Sequence, residues 1–554
     1  MFFVVEKKAG TTPDTKDAKE RKRTLFIIIP MTFQQLLQGA EVLSQSGNPG
    51  IAGVEYDSRR VRPGSAFVAM RGETSDGNRF IDQAIASGAV AIVTDSAAET
   101  RRPGVAWAQV VHGRRALARL SANFYKHPAE RIANTGITGT NGKSTTAFLV
   151  ESILQAAGRK TALVGTIEYH VAGKILAAPH TTPEALELNR LLSEGLGEGV
   201  TEAVMEVSSH ALEQQRVFGI PFDVAVFTNL TRDHLDYHGT MEEYFRAKQS
   251  LFEGCGTDPP RAAVLNLDDE CGRQLLKLCK KKSSAVFSYG MTSGDFHAES
   301  VEITPRGTRF QMVTPSGKIA LWSALIGTVN VYNVLAAGAA GYARGCSAEA
   351  MARGISDLAS VPGRFERLDC GQPFTVVVDY AHTDDALRNL TALARDFVSR
   401  AGLKGRVITL FGCGGDRDRA KRPLMGEAAG QGSDFVVLTS DNPRSEDALA
   451  IMNDAVVGLQ KHGLQNEGSR KAGQQKSGAE YFMEPDRRKA IAFALQQATP
   501  GDIVLLAGKG HEKVQITKEG PIPFDDLDVA REHLKMLGYD CKGAAKVGTA
   551  GRMA

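Results

Sequence analysis

The chain has 554 residues, of which 42% are hydrophobic and 23% are charged, and its formal net charge is +3. This length is too great for one hydrophobic core, so two to four domains are expected. The nearly neutral charge argues against a nucleic-acid partner and against binding to a membrane surface. The seven cysteines form no CxxC pair, which favours reduced thiols in a cytosol over a disulfide framework.

Residues 1–30 are polar and charged and show no hydrophobic period, so a disordered extension is predicted. Their apolar run, 25–29, is too short to span a bilayer, and no small-residue cleavage site follows it. Neither a signal peptide nor membrane insertion is expected, and the predicted location is the cytoplasm.

Residues 31–131 are predicted to form a first small α/β domain. Its strand at 65–70 is followed by a helix at 78–87 with apolar residues on one face, and by a second strand at 90–94.

A second domain is predicted over 132–361. A strand at 132–137, a glycine loop, a helix at 144–157 and a strand at 162–164 form a βαβ pattern, which indicates a parallel sheet. Further apolar strands are predicted at 203–207, 224–227 and 262–267. Each leads into polar residues, and ligands bind at that edge of open α/β sheets.

A third α/β domain is predicted over 362–540, and 541–554 is predicted to be a tail. Its predicted strands are 374–378, 407–411, 435–439 and 503–507. The stretch 463–478, rich in Gln, Gly, Ser and Lys, is predicted to be a surface insertion.

A phosphate-binding loop is predicted between the strand at 132–137 and the following helix. It reads Gly139-Thr140-Asn141-Gly142-Lys143-Ser144-Thr145. Glycines let backbone amides face an anion, and the helix N-terminus adds positive potential. Lys143 can reach the β- and γ-phosphates of a nucleotide, and Ser144 can hold Mg²⁺. Ile137 stands where the usual pattern has its first glycine, so a simple tight turn is the alternative.

This loop resembles the ATP loop of the Mur ligases and of their relative folylpolyglutamate synthetase, and the resemblance continues over about 56–514. It implies a three-domain α/β fold with a central P-loop ATPase domain, built on a parallel sheet, and a Rossmann-like C-terminal domain. It also implies an ATP-dependent ligase of peptidoglycan precursor synthesis that requires Mg²⁺ and forms an acyl phosphate. The implied partners are small molecules: ATP, UDP-N-acetylmuramoyl-L-alanyl-D-glutamate and meso-diaminopimelate. A monomer is expected.

The resemblance also implies a metal site and a modified lysine. Glu206 lies at the end of one predicted strand and His234 follows another, and with Ser144 they match the family's Mg²⁺ ligands. Lys248 matches a lysine that CO₂ carbamylates in the family, which converts a cation into an anionic oxygen ligand. Lys143, Lys248, His234 and Glu206 are therefore the predicted catalytic residues. The alternative for Lys248 is a plain ammonium that contacts phosphate.

Further binding residues follow from the same resemblance. Matches to the family's nucleotide contacts, beyond the loop, are Asn330, Asn333, Arg364, Asp379 and His382. Asp384 replaces the proline that usually ends the motif containing His382. Matches to the contacts for the UDP-muramoyl dipeptide are Tyr56, Ser58, Thr181, Thr182, Ser208, Gln214 and Arg216.

Three motifs in the third domain are predicted to select the amino acid. The residues that match the family's diaminopimelate contacts are Arg417, Asp441, Asn442, Pro443, Arg444, Gly508 and Glu512. Each motif follows an apolar strand, so they can meet at one sheet edge. Diaminopimelate has a second amino-acid head that lysine lacks; Arg444 offers a planar donor for its carboxylate, and Glu512 suits its ammonium.

Three other functions are compatible with parts of this sequence. A lysine-adding ligase is disfavoured by Arg444, because such relatives usually lack that arginine. Folylpolyglutamate synthetase would leave the first domain and the 441–444 motif without a role. A noncatalytic nucleotide-binding regulator is disfavoured because Lys143, Glu206, His234 and Lys248 are all present.

Overall fold

The computed structural model describes residues 31–72, 75–97, 102–282, 285–400, 405–467 and 479–541. The predicted extension over 1–30 therefore lies outside the described residues, as do 542–554 of the predicted tail. Each of the three predicted domains contains its own main β-sheet. None of the helices within these ranges is long and apolar enough to cross a membrane.

The first domain is a five-stranded sheet in the order β2-β7-β6-β5-β4, with β4 to β7 parallel. Its strands are β1 (Met31–Thr32), β2 (Val42–Ser46), β3 (Gly50–Ile51), β4 (Gly53–Glu55), β5 (Ser65–Ala69), β6 (Ala91–Thr94) and β7 (Ala106–Val110). Its helices are α1 (Phe33–Leu36), α2 (Ile81–Ala86) and α3 (Gly113–Phe124). The predicted helix at 78–87 begins as a 3₁₀ turn, Gly77–Phe80, before α2.

The second domain is an eight-stranded sheet in the order β11-β10-β9-β12-β8-β13-β14-β15. Its strands are β8 (Ala133–Thr138), β9 (Thr161–Val164), β10 (Glu168–Val171), β11 (Lys174–Ala177), β12 (Glu202–Glu206), β13 (Val224–Phe227), β14 (Ala262–Asn266) and β15 (Ala285–Tyr289). An antiparallel sheet follows, with β16 (His297–Thr304), β17 (Gly307–Thr314) and β18 (Gly317–Ser323). The helices are α4 (Lys143–Ala156), α5 (Ala185–Gly197), α6 (Ser209–Glu213), α7 (Leu235–His238), α8 (Met241–Glu253), α9 (Glu270–Lys281), α10 (Thr328–Ala343) and α11 (Ala348–Asp357).

The central strands are almost entirely buried because helices cover both faces of the sheet. Successive residues of a strand point to opposite faces. Val204 and Val226 accordingly join the core under α4 and α10, whereas Met205 and Phe227 join the core on the other face. The strands β9, β12, β8, β13, β14 and β15 run parallel, as the βαβ pattern predicts. Their C-terminal ends therefore meet at one edge of the sheet.

The third domain is a seven-stranded sheet in the order β19-β20-β25-β21-β22-β24-β23, parallel except for β19. Its strands are β19 (Glu366–Leu368), β20 (Thr375–Asp379), β21 (Val407–Phe411), β22 (Phe435–Thr439), β23 (Gln465–Asn466), β24 (Glu480–Glu484) and β25 (Ile503–Ala507), with a hairpin of β26 (Val514–Thr517) and β27 (Gly520–Pro523). The helices are α12 (Asp384–Arg400), α13 (Lys421–Gly432), α14 (Ala448–Lys461), α15 (Arg487–Gln497) and α16 (Asp526–Met536).

Two expectations about the third domain need correction. Cys370 and Cys541 form a disulfide, so the prediction of reduced thiols is wrong for this pair. Sequence alone could not pair them, because 171 positions separate them. Part of the predicted surface insertion at 463–478 is also ordered structure, since Gln465–Asn466 pairs with β24 at the sheet edge; residues 468–478 lie outside the described residues.

Two carboxylates connect the second domain to the first: Glu187 on α5 and Glu184, the residue directly before that helix. Glu187 accepts hydrogen bonds from Arg60 at 2.9 Å and from the Tyr56 hydroxyl at 3.2 Å. Glu184 pairs with Arg114 of the first domain at 3.3 Å and with Arg216 of its own domain at 3.1 Å. Because these carboxylates are largely shielded from water, the pairs position the first domain beside the central sheet edge.

Candidate active site

The phosphate loop joins β8 to α4 and requires glycine at two positions. Gly139 has φ +148°, and a Cβ added there would lie 1.9 Å from Thr228 Oγ1. Gly142 has φ +85°, and its added Cβ would lie 2.4 Å from Asn333 Oδ1. Among the described residues no side chain caps α4, which begins directly after Gly142. Its first N–H groups can therefore bind an anion.

Two lysines converge on the carbonyl group of Gly139. Lys143 Nζ donates to the carbonyl oxygens of Gly139 at 3.0 Å and Thr140 at 2.9 Å. Lys248, on α8 and fully buried, donates to Gly139 O at 2.8 Å. Burial lowers the pKa of Lys143, and burial together with the Lys143 charge lowers the pKa of Lys248 well below its usual range. The site therefore concentrates amines that lose a proton more readily than surface lysines.

Glu206 lies buried at the end of β12, next to the start of α4. Ser144 Oγ donates to Glu206 Oε2 at 3.0 Å, and the backbone N–H of Thr166 donates to Oε1 at 2.8 Å. Arg364 Nη2 donates to Ser144 Oγ at 3.3 Å. A hydroxyl and a carboxylate thus lie side by side where the phosphate loop ends, and both are oxygen donors of the kind that Mg²⁺ prefers.

His234 occupies a left-handed backbone position, with φ +54°, directly before α7. Burial lowers its pKa to about 3, although Asp233, 3.3 Å away, opposes the shift. The imidazole is therefore neutral near pH 7 and can act as an acceptor or ligand. In the described part of the chain, no group of three or more His, Cys, Asp or Glu side chains is arranged to hold a metal ion. Of the four predicted Mg²⁺ ligands, Glu206 and His234 are residues of these types, and the other two are the Ser144 hydroxyl and the modified Lys248.

A cavity of about 390 Å³ lies beside the phosphate loop, and we call it the nucleotide cavity. Its size falls within the range of small-molecule sites. The residues predicted for nucleotide binding that line it are Asn141, Gly142, Ser144, Thr145, Asn330, Asn333, Arg364 and Asp379. Residues that the sequence analysis missed include Asn266, Asp268, Asp269, Tyr332 and Asp385. Asn266 is the last residue of β14, and Asp268 and Asp269 follow that strand, so the rule that ligands bind at strand C-termini could have found these three.

The nucleotide cavity has walls from both the second and the third domain. Asn141 Nδ2, in the phosphate loop, donates to Asp385 Oδ2 on α12 at 2.9 Å. Asp379, at the end of β20, accepts from the backbone N–H groups of Phe365 at 2.7 Å and Ala381 at 2.8 Å. These bonds cap the loop that carries Asp379, while burial raises the pKa of its carboxyl group.

A second cavity, of about 220 Å³, lies between the same two domains, and we call it the amino-acid cavity. Its lining includes six of the seven residues predicted for diaminopimelate: Arg417, Asp441, Asn442, Arg444, Gly508 and Glu512. The second domain contributes Asp233 and His234. His382, predicted to contact ATP, lines this cavity and not the nucleotide cavity. Arg444 therefore lines the same cavity as His234.

Arg444 is held by the loop that follows β21. Its Nη1 donates to the carbonyl oxygens of Gly415 at 2.8 Å and Asn442 at 3.3 Å. Its own backbone N–H donates to Ile516 O of the β26–β27 hairpin at 3.1 Å. Burial and the charge of Arg417 lower the pKa of Arg444. Two guanidinium groups in one half-buried cavity favour an anionic ligand.

Asp233 was missed by the sequence analysis. Its buried carboxylate lies 3.8 Å from His382 and 3.8 Å from Lys421, both in the third domain. Burial alone would raise the pKa of Asp233, but its interactions with His234, His382 and Lys421 lower this pKa to about 2. Its neighbour Arg232 pairs with Asp418 at 3.3 Å, again across the two domains. These charged residues come together only where the two domains meet, so no local sequence signal marks the cluster.

The residues predicted for the UDP-muramoyl dipeptide fall into two groups. Thr182 Oγ1 donates to the backbone oxygen of Glu206 at 2.8 Å, and Arg216 donates to Thr182 O at 2.9 Å and to Gln214 Oε1 at 2.7 Å. Ser208 donates its N–H to Thr182 Oγ1 at 3.1 Å. Thr181, which accepts from Thr166 at 3.1 Å, belongs to the same group beside Glu206.

The second group lies in the first domain. Ser58 Oγ donates to Gln83 Oε1 at 3.0 Å, and Tyr56 is bonded to α5 as described above. These two residues therefore have structural partners of their own, and their predicted contact with the nucleotide sugar stays a prediction.

Comparisons with known proteins agree with this geometry. Family models described as the Mur ligase family catalytic domain, the Mur ligase middle domain, and the Mur ligase glutamate ligase domain match residues 50–125, 137–341 and 363–510. The UDP-N-acetylmuramoyl-L-alanyl-D-glutamate–2,6-diaminopimelate ligase of Solibacter usitatus is 54% identical over 88% of this chain and 94% of its own length. The chain belongs to the Mur ligase family.

Two further relatives extend the likeness. The ligase of the same name from Geobacillus thermodenitrificans is 45% identical over 89% of this chain and 96% of its own length. A solved structure, also titled as a UDP-N-acetylmuramoyl-L-alanyl-D-glutamate–2,6-diaminopimelate ligase, superposes with a TM-score of 0.64 at 32% identity. It covers 92% of this chain and all of the solved chain. The predicted three-domain Mur ligase architecture and the prediction of an ATP-dependent ligase are confirmed.

Proposed function

We propose that this Mur ligase adds meso-2,6-diaminopimelate to the D-glutamate carboxylate of UDP-N-acetylmuramoyl-L-alanyl-D-glutamate, at the expense of ATP. The observation that supports this most is that Arg444 and Glu512 line one cavity with His234 of the ATP-binding domain. A guanidinium suits the second carboxylate of the amino acid, and a carboxylate suits its distal ammonium. The relatives at 54% and 45% identity are ligases of this name.

In the first step, a carboxylate oxygen of the dipeptide attacks the γ-phosphorus of ATP, ADP leaves, and an acyl phosphate forms. Lys143 and the N–H groups at the start of α4 stabilise charge on the phosphate oxygens. Thr182 and Arg216 hold the dipeptide on the Glu206 side of the loop, where they form one hydrogen-bonded group. Positioning of the two reactants supplies much of the rate.

In the second step, the amine of diaminopimelate attacks the acyl carbon, phosphate leaves, and an amide forms. Arg444 and Glu512 orient the amino acid through its distal head, so that the reacting amine points toward the second domain. The walls of the cavity come from both domains. Closure therefore keeps water from the acyl phosphate, which would otherwise hydrolyse.

Ser144, Glu206, His234 and a carbamate on Lys248 are the residues that we propose hold Mg²⁺. The adjacent oxygen donors of Ser144 and Glu206, 3.0 Å apart, fit a magnesium ligand set. Bound there, Mg²⁺ supplies charge neutralisation for the phosphates and the substrate carboxylate. His234 is available as a neutral donor because its pKa lies near 3.

The carbamate on Lys248 can be tested directly. An amine must be neutral to attack CO₂, and burial together with Lys143 depresses the pKa of Lys248. The carbamate nitrogen keeps an N–H that can still donate to Gly139 O. We expect native mass spectra to show a labile CO₂ adduct that Lys248→Ala lacks, and activity to fall when bicarbonate is removed. Unchanged activity without bicarbonate, and no adduct, would contradict this proposal.

The proposed reaction belongs to peptidoglycan precursor synthesis and so to cell wall biogenesis, cell shape and cell division. Its substrates are water-soluble, and we place the enzyme in the cytoplasm.

The decisive experiment measures ADP release on the UDP-muramoyl dipeptide across a panel of amino acids. Release with meso-diaminopimelate supports the proposal, and release with L-lysine instead indicates a lysine-adding ligase. Absence of amino-acid-dependent release indicates a noncatalytic nucleotide-binding regulator.

A further inference from the structure

Lys509 is a buried cation that neither step described above uses. It follows β25 in the segment Gly508-Lys509-Gly510, and none of its side-chain surface is exposed. Its Nζ donates to Asn442 Oδ1 at 3.0 Å, to Glu512 Oε2 at 3.0 Å and to Val514 O at 2.8 Å. A buried ammonium is costly unless its hydrogen bonds and charge are matched, so this arrangement needs an explanation.

The partners of Lys509 line the amino-acid cavity. Glu512 and Asn442 do so, and Asp441, whose Oδ1 lies 3.4 Å from Nζ, does so as well. Lys509 itself does not appear in the wall of the cavity. It therefore lies behind these three residues and acts on a ligand only through them.

The bonds determine how the partner side chains are oriented. Asn442 Oδ1 accepts from Lys509 and from the backbone N–H of Ile516 at 2.9 Å. Its Nδ2 must therefore face the other way, and it donates to Glu512 Oε2 at 3.0 Å. Glu512 Oε2 thus has two donors, while no described residue donates to Oε1 in a hydrogen bond. Oε1 is the oxygen that can accept from a ligand.

We propose that Lys509 is a positioning residue for amino-acid selection: its buried ammonium holds Asn442 and Glu512 so that Glu512 Oε1 faces the distal cationic group of the incoming amino acid. This inference rests on the proposed function for the identity of that amino acid. Without the ammonium, Asp441 and Glu512 lose the cation between them and repel each other. Glu512 is then expected to turn toward Arg444. It would pair with the guanidinium that is proposed to bind the ligand carboxylate.

The test compares Lys509→Met with a matched control, Arg406→Met. Methionine keeps most of the aliphatic stem and removes the charge. Arg406 pairs with the buried Asp502 at 2.7 Å, just before β21 and so at the opposite edge of the sheet. Both variants lose a charge beside a buried carboxylate in the third domain, but only Lys509 contacts residues of the amino-acid cavity.

We expect Lys509→Met to raise the KM for meso-diaminopimelate by about tenfold or more, the effect of losing one charge-assisted contact. The KM for ATP should stay within about twofold. Arg406→Met should lower the thermal midpoint and leave both KM values unchanged. If Lys509→Met does not fold, Lys509→Gln, which also removes the charge, is expected to raise the KM for meso-diaminopimelate.

Two results would overturn the inference. One is a folded Lys509 variant with the wild-type KM for meso-diaminopimelate. The other is an equal rise of both KM values, which would indicate a general structural role. Failure of the proposed function is distinguishable, because the wild-type enzyme itself would then release no ADP with meso-diaminopimelate.

Discussion

Removing the guanidinium of Arg444 is the sharpest test of how the amino acid is chosen. Arg444→Ala deletes the planar donor but keeps a Cβ, so the left-handed backbone at this position, φ +54°, is retained at similar cost. In the structure Nη1 is engaged by the carbonyl oxygens of Gly415 and Asn442. Among the described residues none accepts a hydrogen bond from Nη2, which can therefore bind a ligand carboxylate.

The size of the effect follows from the number of bonds lost. One hydrogen bond to a charged group contributes about 1.5–3 kcal/mol, which corresponds to about 10–150-fold in kcat/KM. Arg444 is half-buried, and Arg417 in the same cavity supplies a second guanidinium. We therefore expect a loss within this range and not a complete loss of activity.

The assay measures ADP release with meso-diaminopimelate and with L-lysine in separate reactions. L-Lysine lacks the second carboxylate, so Arg444→Ala should lower kcat/KM for meso-diaminopimelate and change that for lysine little. Arg419→Ala is the control, because this arginine is 68% exposed and pairs with Asp454. If Arg444→Ala keeps the wild-type ratio of the two kcat/KM values, the guanidinium does not select the amino acid, and the reasoning fails.

Two other predictions concern the phosphate loop and pH. In Gly139→Ala the new Cβ would lie 1.9 Å from Thr228 Oγ1, so calorimetry should show that the affinity for ATP falls by about tenfold or more. The control is Gly197→Ala, where the new methyl group meets open space and ATP should bind with the wild-type affinity. Burial opposes protonation of His170, yet Glu151 and Glu168 raise its pKa from 6.5 to about 9. The protonated His170 therefore stabilises the folded state by about 3 kcal/mol. This contribution is complete below pH 6.5 and is lost as the pH rises through 9. As the pH rises from 7 to 10, the thermal midpoint of the wild-type protein should therefore fall more than that of His170→Gln. An equal fall in the two proteins would contradict this.

The phosphate loop was predictable because its determinants are local. A strand, glycines at 139 and 142, Lys143 and a helix follow one another within a few residues, and the structure has β8 and α4 within one residue of the predicted bounds. The six motif residues of the amino-acid cavity were predictable for a related reason. Each follows a strand of one parallel sheet, so topology alone brings them to one edge.

The remaining features depend on contacts between distant parts of the chain. The disulfide between Cys370 and Cys541, and the burial of Lys509 behind the amino-acid cavity, have no signature in neighbouring residues. His382 was predicted for the nucleotide because its motif resembles a family motif. Its position in the other cavity depends on how the third domain meets Asp233 of the second.

This domain contact connects phosphate chemistry with amino-acid selection. Asp233 belongs to the ATP-binding domain, but two of the groups that lower its pKa, His382 and Lys421, belong to the third domain. A buried carboxylate is stable only when such partners are present, so the pairing is complete only where the two domains meet. The same meeting places His234 and Arg444 in one cavity. The second domain therefore completes the wall of a cavity that the third domain mostly lines, and the proposed reaction selects its nucleophile at the same domain contact that would shield an acyl phosphate from water.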